Sequence, residues 1–162
     1  DMPEYTAGLN TGFSWKNFDF SMQWTGAWNV DRMLDEFRRP LGDTNEKGLL
    51  LYQYDTTWRS SADTFTAKFP RTSSLHASNN YAGSDLYLIN ASYLRLKSVE
   101  IGYNFNFPFM KKLKMDNCRL YVNGYNLITI TGFKWGDPES RQSSRPNYPL
   151  TRVFNIGLKL GF

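Results

Sequence analysis

No run of apolar residues in this chain approaches the roughly 18 that a membrane-spanning helix requires, so a helical membrane protein is excluded. A membrane β-barrel is not, because in a barrel wall only every second residue meets lipid. Cysteine is nearly absent as well. The single Cys118 permits no internal disulfide and leaves the compartment undecided. Charge of one sign is scarce: the net charge is +4 and dispersed. Lys111, Lys112 and Lys114 form the one tight basic cluster, which reads as a solvated turn and gives no nucleic-acid site. The opening residues Asp1-Met2-Pro3-Glu4 are acidic and lack the apolar core of a secretory leader. The chain is then either cytosolic, or its leader and more lie upstream.

Aromatic residues are plentiful, with 12 Phe, 10 Tyr and 5 Trp making 17% of the chain. This composition fits a soluble all-β domain and a membrane barrel equally, so the decision falls to periodicity. In FDFSMQWTGAWNV, Phe18, Phe20, Met22, Trp24, Trp28 and Val30 share one face, with Gly26 in the row. Asp19, Ser21, Gln23, Thr25, Ala27 and Asn29 share the other. Period two over this length is a strand with one apolar and one polar face. It exceeds the usual 5 or so residues of a globular strand and matches the roughly 9–11 of a tilted membrane strand.

The same alternation places five strands at about 4–15, 18–31, 92–107, 118–131 and 151–162. Val99, Ile101, Tyr103, Phe105 and Phe107 line the apolar face of the third, opposite Glu100, Gly102, Asn104 and Asn106. Its phase breaks upstream in YLRLK, which reads as a strand leaving the lipid zone, where alternation is no longer required. In the fourth strand Cys118, Leu120, Val122, Ile128 and Ile130 oppose Arg119, Tyr121, Asn123, Tyr125 and Thr129. In the fifth, Phe154, Ile156, Leu158, Leu160 and Phe162 oppose Asn155, Gly157, Lys159 and Gly161.

Connections alternate in length: residues 16–17 short, 32–91 very long, 108–117 short, 132–149 long. Outer-membrane barrels show this asymmetry, with short periplasmic turns and longer extracellular loops. Residues 32–91 carry no convincing helix or strand, and about sixty such residues would be strange in a compact soluble domain. Five strands cannot close, and an open edge cannot sit in lipid. The expectation is an all-β transmembrane antiparallel β-barrel, of which this chain supplies the C-terminal five strands. Its start would lie in an extracellular loop open to proteolysis, and Phe162 would end in the periplasm.

Four ordered segments then carry a resemblance: NASYLRLKSVEIGYNF, CRLYVNGYNLITIT, GFKWGDPES and YPLTRVFNIGLKLGF, with WKNFDFS as a further hairpin. Together they resemble the closing strands of SusC/RagA-like TonB-dependent outer-membrane transporters. The resemblance implies a 22-stranded barrel filled by a plug, importing glycan or peptide fragments beneath a SusD-like surface lipoprotein and energised by TonB. The plug and the TonB-binding segment are N-terminal in that family and lie outside these residues. No cofactor is implied.

Catalytic material is thin. His76 is the only histidine, and a pairing with Ser73, Ser74 or Ser78 lacks an orienting acid at meaningful spacing. Asp43, Asn45 and Glu46 start a calcium-like spacing without the later ligands, so no metal is expected. Phe13, Trp15, Phe18, Trp24, Trp28, Tyr103, Phe105 and Phe107 read as interfacial girdle and wall residues. The loop aromatics Tyr52, Tyr54, Trp58, Phe65, Phe69, Tyr81, Tyr87, Trp135 and Tyr148 divide between loop packing, lid contact and sugar stacking. Trp58, Trp135, Tyr81 and Tyr148 are the candidates for substrate or lid contact. Asp137, Pro138 and Glu139 read as a structural turn. Asn123, Tyr125, Asn155 and Lys159 face the lumen, and Arg95 and Arg119 are expected to pair with carboxylates of the loops or plug. Leu158, Leu160 and Phe162 resemble the signal read by the outer-membrane assembly machinery. The rival readings are a soluble carbohydrate-binding β-sandwich and, more remotely, an outer-membrane enzyme.

Overall fold

The computed structural model describes residues 2–38, 50–72, 79–106, 108, 114–139 and 150–162. They form two compact units: residues 1–30 with 90–162, and residues 31–89.

The first unit is one antiparallel sheet. Its strands are β1 (Tyr5–Trp15), β2 (Phe18–Trp28), β5 (Tyr93–Phe105), β6 (Asn117–Thr131) and β7 (Val153–Gly161), each paired with its neighbour in that order. The β1–β2 turn is only Lys16-Asn17, with Lys16 in the left-handed region at φ 54°. An 11-residue strand is about 36 Å long and, tilted near 45°, rises about 25 Å, the height of a barrel's apolar band.

Register assigns the faces. Phe20 stands opposite Phe13 and Ile101, Ile101 opposite Val122, and Val122 opposite Ile156. One face is therefore apolar across all five strands. Leu9, Phe13, Ile130, Phe154, Ile156 and Leu158 are each more than half exposed on it. A β-sandwich would cover such a face with a second sheet; here it stands open, as a lipid-facing wall does. The other face carries Asp19, Glu100, Asn104, Arg119, Tyr121, Asn123 and Asn155. Among the described residues, nothing pairs with the outer edges of β1 and β7.

Three expectations need correction. The second strand stops at Trp28 rather than running to 31, because Asn29 turns into the left-handed region at φ 52°. The phase break in YLRLK is not relaxed alternation. Against Gln23 and Trp24 of β2 the register passes from Ser98 to Leu96, leaving Lys97 as an extra residue. A β-bulge of one residue reverses parity, so Leu94 and Leu96 return to the apolar face opposite Gly26 and Trp24. Beside it, β6 spends Asn126 and Leu127 on the same step, with Asn126 at φ 53°.

The third correction concerns residues 32–91, which do contain ordered elements. The second unit holds β3 (Asp31–Met33) paired with β4 (Leu88–Asn90), the short helix α1 (Leu51–Thr56) and several 3-10 turns. Its core is aromatic: Phe37 packs edge-on to Phe69 at 5.2 Å between ring centres, and Phe69 stacks on Tyr87 at 6.0 Å. The buried Tyr87 hydroxyl donates to the Asn80 carbonyl at 2.5 Å. Thr57 bridges to Phe69, and the Trp58 amide donates to the Phe69 carbonyl at 2.9 Å. Scattered aromatics over irregular backbone have no period, which is why pattern reading passed over them.

Candidate functional site

The polar face of the sheet gathers the charged side chains into two clusters. In the first, Asp19 of β2, Glu100 and Asn104 of β5, and Arg119 of β6 meet across three strands. The Arg119 guanidinium binds both Asp19 oxygens, with Nε to Oδ1 at 3.1 Å, and Nη2 also reaches Glu100 Oε1 at 2.7 Å. Asn104 donates to Asp19 at 3.2 Å, Asn123 to Glu100 at 3.3 Å, and Asn155 of β7 to Asn123 at 2.9 Å. Arg119 was expected to find its carboxylates in the loops or plug; it finds them on wall strands β5 and β2.

Two glycines make this possible. Register sets Tyr121 between Gly102 and Gly157. A Cβ on Gly102 would fall onto the Arg119 guanidinium and Asp19 carboxylate, and one on Gly157 onto the Tyr121 ring. Arg119 also stacks on Tyr121, 5.3 Å from the ring centre.

The second cluster ties a connection to the wall. Arg95 of β5, 2% exposed, donates from Nε to Thr129 Oγ1 at 3.1 Å, from Nη1 to Glu139 at 2.8 Å and from Nη2 to Asp137 at 2.7 Å. Lys97, the bulge residue, adds a contact to Glu139 at 3.2 Å. Asp137 further accepts the amides of Glu139 at 2.8 Å and Leu150 at 3.3 Å. Burial alone would raise the Asp137 pKa; the Arg95 hydrogen bond, the two amides and the Arg95 charge outweigh it and hold the carboxyl below its ordinary value. The Asp-Pro-Glu turn is thus a structural fastening. Nothing in the sequence marked Lys97 as a bulge, but opposite charges on facing polar rows (Asp19, Glu100, Arg119) could have been paired once register was assumed.

The other candidates fall as follows. Trp58 is half-buried beside Phe69 in the second unit. Tyr81 lies in a 3-10 turn there, its carbonyl accepting from Arg38 at 3.4 Å. Trp135 is half-buried just ahead of Asp137. Trp58 and Tyr81 thus belong to one unit and Trp135 to the other. Tyr148, His76 with Ser73, Ser74 and Ser78, Asp43, Asn45 and Glu46, and Phe107 lie outside the described residues. Leu158, Leu160 and Phe162 are exposed along the apolar face at the β7 edge.

A five-stranded sheet with an uncovered apolar face and a charged, internally bonded polar face is the wall of a transmembrane β-barrel. No family model matches the chain. It is similar over 99% of its length, at 29% identity, to the TonB-dependent receptor P3 of Formosa agariphila. It is similar over 96% of its length, at 28% identity, to the TonB-dependent receptor SusC of Bacteroides thetaiotaomicron. Among solved structures, the RagAB peptide importer covers 99% of the chain with TM-scores of 0.70 in its open-open state and 0.73 in its closed-closed state, at 22% and 21% identity. The chain thus resembles the C-terminal part of the SusC/RagA-like TonB-dependent transporters of the outer membrane. It spans only 15–17% of the length of these relatives.

Proposed function

We propose that this chain forms barrel wall and extracellular connections of a TonB-dependent importer of oligomeric nutrients, glycan or peptide, working beneath a SusD-like lid lipoprotein. The observation that carries the reading is the uncovered apolar face backed by a polar face whose charges are paired across strands. A soluble carbohydrate-binding sandwich would hide the first and has little use for the second. The short connections 16–17 and 108–117 are assigned to the periplasm and the long ones, 32–91 and 132–149, to the cell exterior. The plug, and the TonB contact that moves it, belong to parts of the protein beyond this chain. Trp58, Trp135, Tyr81 and Tyr148 are assigned to the lid or the substrate, as flat rings suit both. Leu158, Leu160 and Phe162 continue the outward apolar row to the end of β7 and are assigned to recognition during membrane assembly.

Deleting the gene and growing the strain on defined glycans and defined peptides tests the import reading and chooses between substrates. Loss of growth on one class is the expected result; unimpaired growth on every oligomer would refute it. Membrane fractions should release the protein only in detergent, and recovery as a stable aqueous species would restore the sandwich.

A further inference from the structure

Arg119 and Arg95 sit on the same polar face but face different partners. Both carboxylates of Arg119 lie on strands of the wall, Glu100 on the adjacent β5 and Asp19 on β2 beyond it. Within the wall Arg95 has the Thr129 hydroxyl; both of its carboxylates, Asp137 and Glu139, come from the β6–β7 connection. Asp137 also holds the amide of Leu150, at the far end of that connection. One buried guanidinium therefore joins the wall to both ends of the segment between β6 and β7. The bulge reinforces it: the extra residue turns Lys97 toward Glu139, so two cations of one strand share that carboxylate.

Burying a charge merely to stabilise the wall is poor chemistry, because desolvation offsets most of the gain and an apolar residue does as well. What a guanidinium adds is direction. Its rigid fork holds two carboxylates in one geometry. We infer that Arg95 is a positioning residue: with Asp137 it latches the β6–β7 connection onto the polar face of the wall and so fixes the part of the import mouth that this connection forms. The latch rests on geometry alone; its place at the import mouth rests on the proposed function.

The test uses the full-length transporter in detergent and in cells. Hydrogen exchange should show the Glu139 and Leu150 amides protected, and Arg95→Gln should speed their exchange at least tenfold while the β5 and β6 amides keep theirs. Arg95→Lys, which retains the charge without the fork, should fall between. Should Arg95→Gln prevent barrel assembly, Asp137→Asn opens the latch from the other side and is read the same way. Unchanged exchange at Glu139 and Leu150 overturns the latch. At equal surface level, the latch variants should need several-fold more of the glycan or peptide that the deletion strain cannot use to reach half-maximal growth. Faster exchange with no such shift overturns the positioning role. Gly132→Cys, at a position where an added Cβ meets nothing within 4 Å, reports the side of the membrane. Labelling by an impermeant maleimide on intact cells supports the mouth placement. Refusal of label with the protected amides intact removes that placement while leaving the latch.

Discussion

Val99 stands at the centre of the 13-residue β5, in the row Thr11, Met22, Val99, Gly124, Phe154. If that row crosses the middle of the bilayer, Val99→Arg places a cation where it costs about 2–4 kcal/mol. Snorkelling toward the headgroups favours the lower part of that range. The adjacent Ser98 faces the polar side, where substitutions usually stay within about 0.5 kcal/mol. Two neighbouring positions on one strand should therefore differ by about 30- to 700-fold in folding equilibrium, at roughly 1.4 kcal/mol per tenfold. Urea unfolding of the full-length transporter in lipid vesicles, with Val99→Arg and Ser98→Arg side by side, measures this. The reasoning fails if the two variants unfold together. A neutral Val99→Arg would mean that the uncovered face meets water, and the membrane reading would go with it.

Gly102→Ala should destabilise by about 1–2 kcal/mol, since Arg119 must withdraw from Asp19 and Glu100 and each part-exposed pair is worth about 0.5–1 kcal/mol. Gly8→Ala, whose Cβ would meet only the Trp24 carbonyl at 3.7 Å, is the matched control in the same unfolding assay and should be neutral. The latch should open in acid. The Asp137 pKa is depressed on folding, so its contribution is complete above its ordinary value of 3.8 and is lost as pH falls through the lower folded value. The protection factors at Glu139 and Leu150, exchange corrected for its intrinsic pH dependence, should therefore fall below that point and stay flat above it; a fall near neutral pH would point to another group. Removing Phe162 should lower the amount of barrel in the outer membrane more than the activity of each molecule that arrives, which surface labelling and uptake measured together will separate.

The five wall strands were legible because lipid on one side and a polar interior on the other impose period two on every residue between them. Where one residue breaks the period, sequence alone misleads. Leu94 and Leu96 have the wrong parity for the lipid face until Lys97 is recognised as extra, and nothing about a lysine announces a bulge. Asn29 is a milder case, since asparagine enters the left-handed region more readily than most residues and could have been marked as the end of β2. The unit of residues 31–89 was invisible for a different reason. Its order comes from a few rings (Phe37, Tyr52, Phe69, Tyr87) brought together over irregular backbone, and such contacts depend on tertiary placement rather than on any local repeat.

The two glycines beside Tyr121 connect sequence to function most directly. A strand position without a side chain weakens a sheet, and this wall accepts two in a single row, Gly102 and Gly157, on its polar face. Each is filled from a neighbour. The Arg119 guanidinium covers Gly102 and the Tyr121 ring covers Gly157, so both large side chains lie along the wall instead of standing away from it. The ion pairs of Asp19, Glu100 and Arg119 consequently close within the thickness of the sheet. Arg95 is flanked by Thr25 and Thr129, and its charge is met from the β6–β7 connection instead. The open position at Gly102, in the row beside Arg119, thus separates an arginine that stays in the wall from one that reaches off it. Restoring bulk at Gly102 should convert the first kind into the second, sending Arg119 toward the interior.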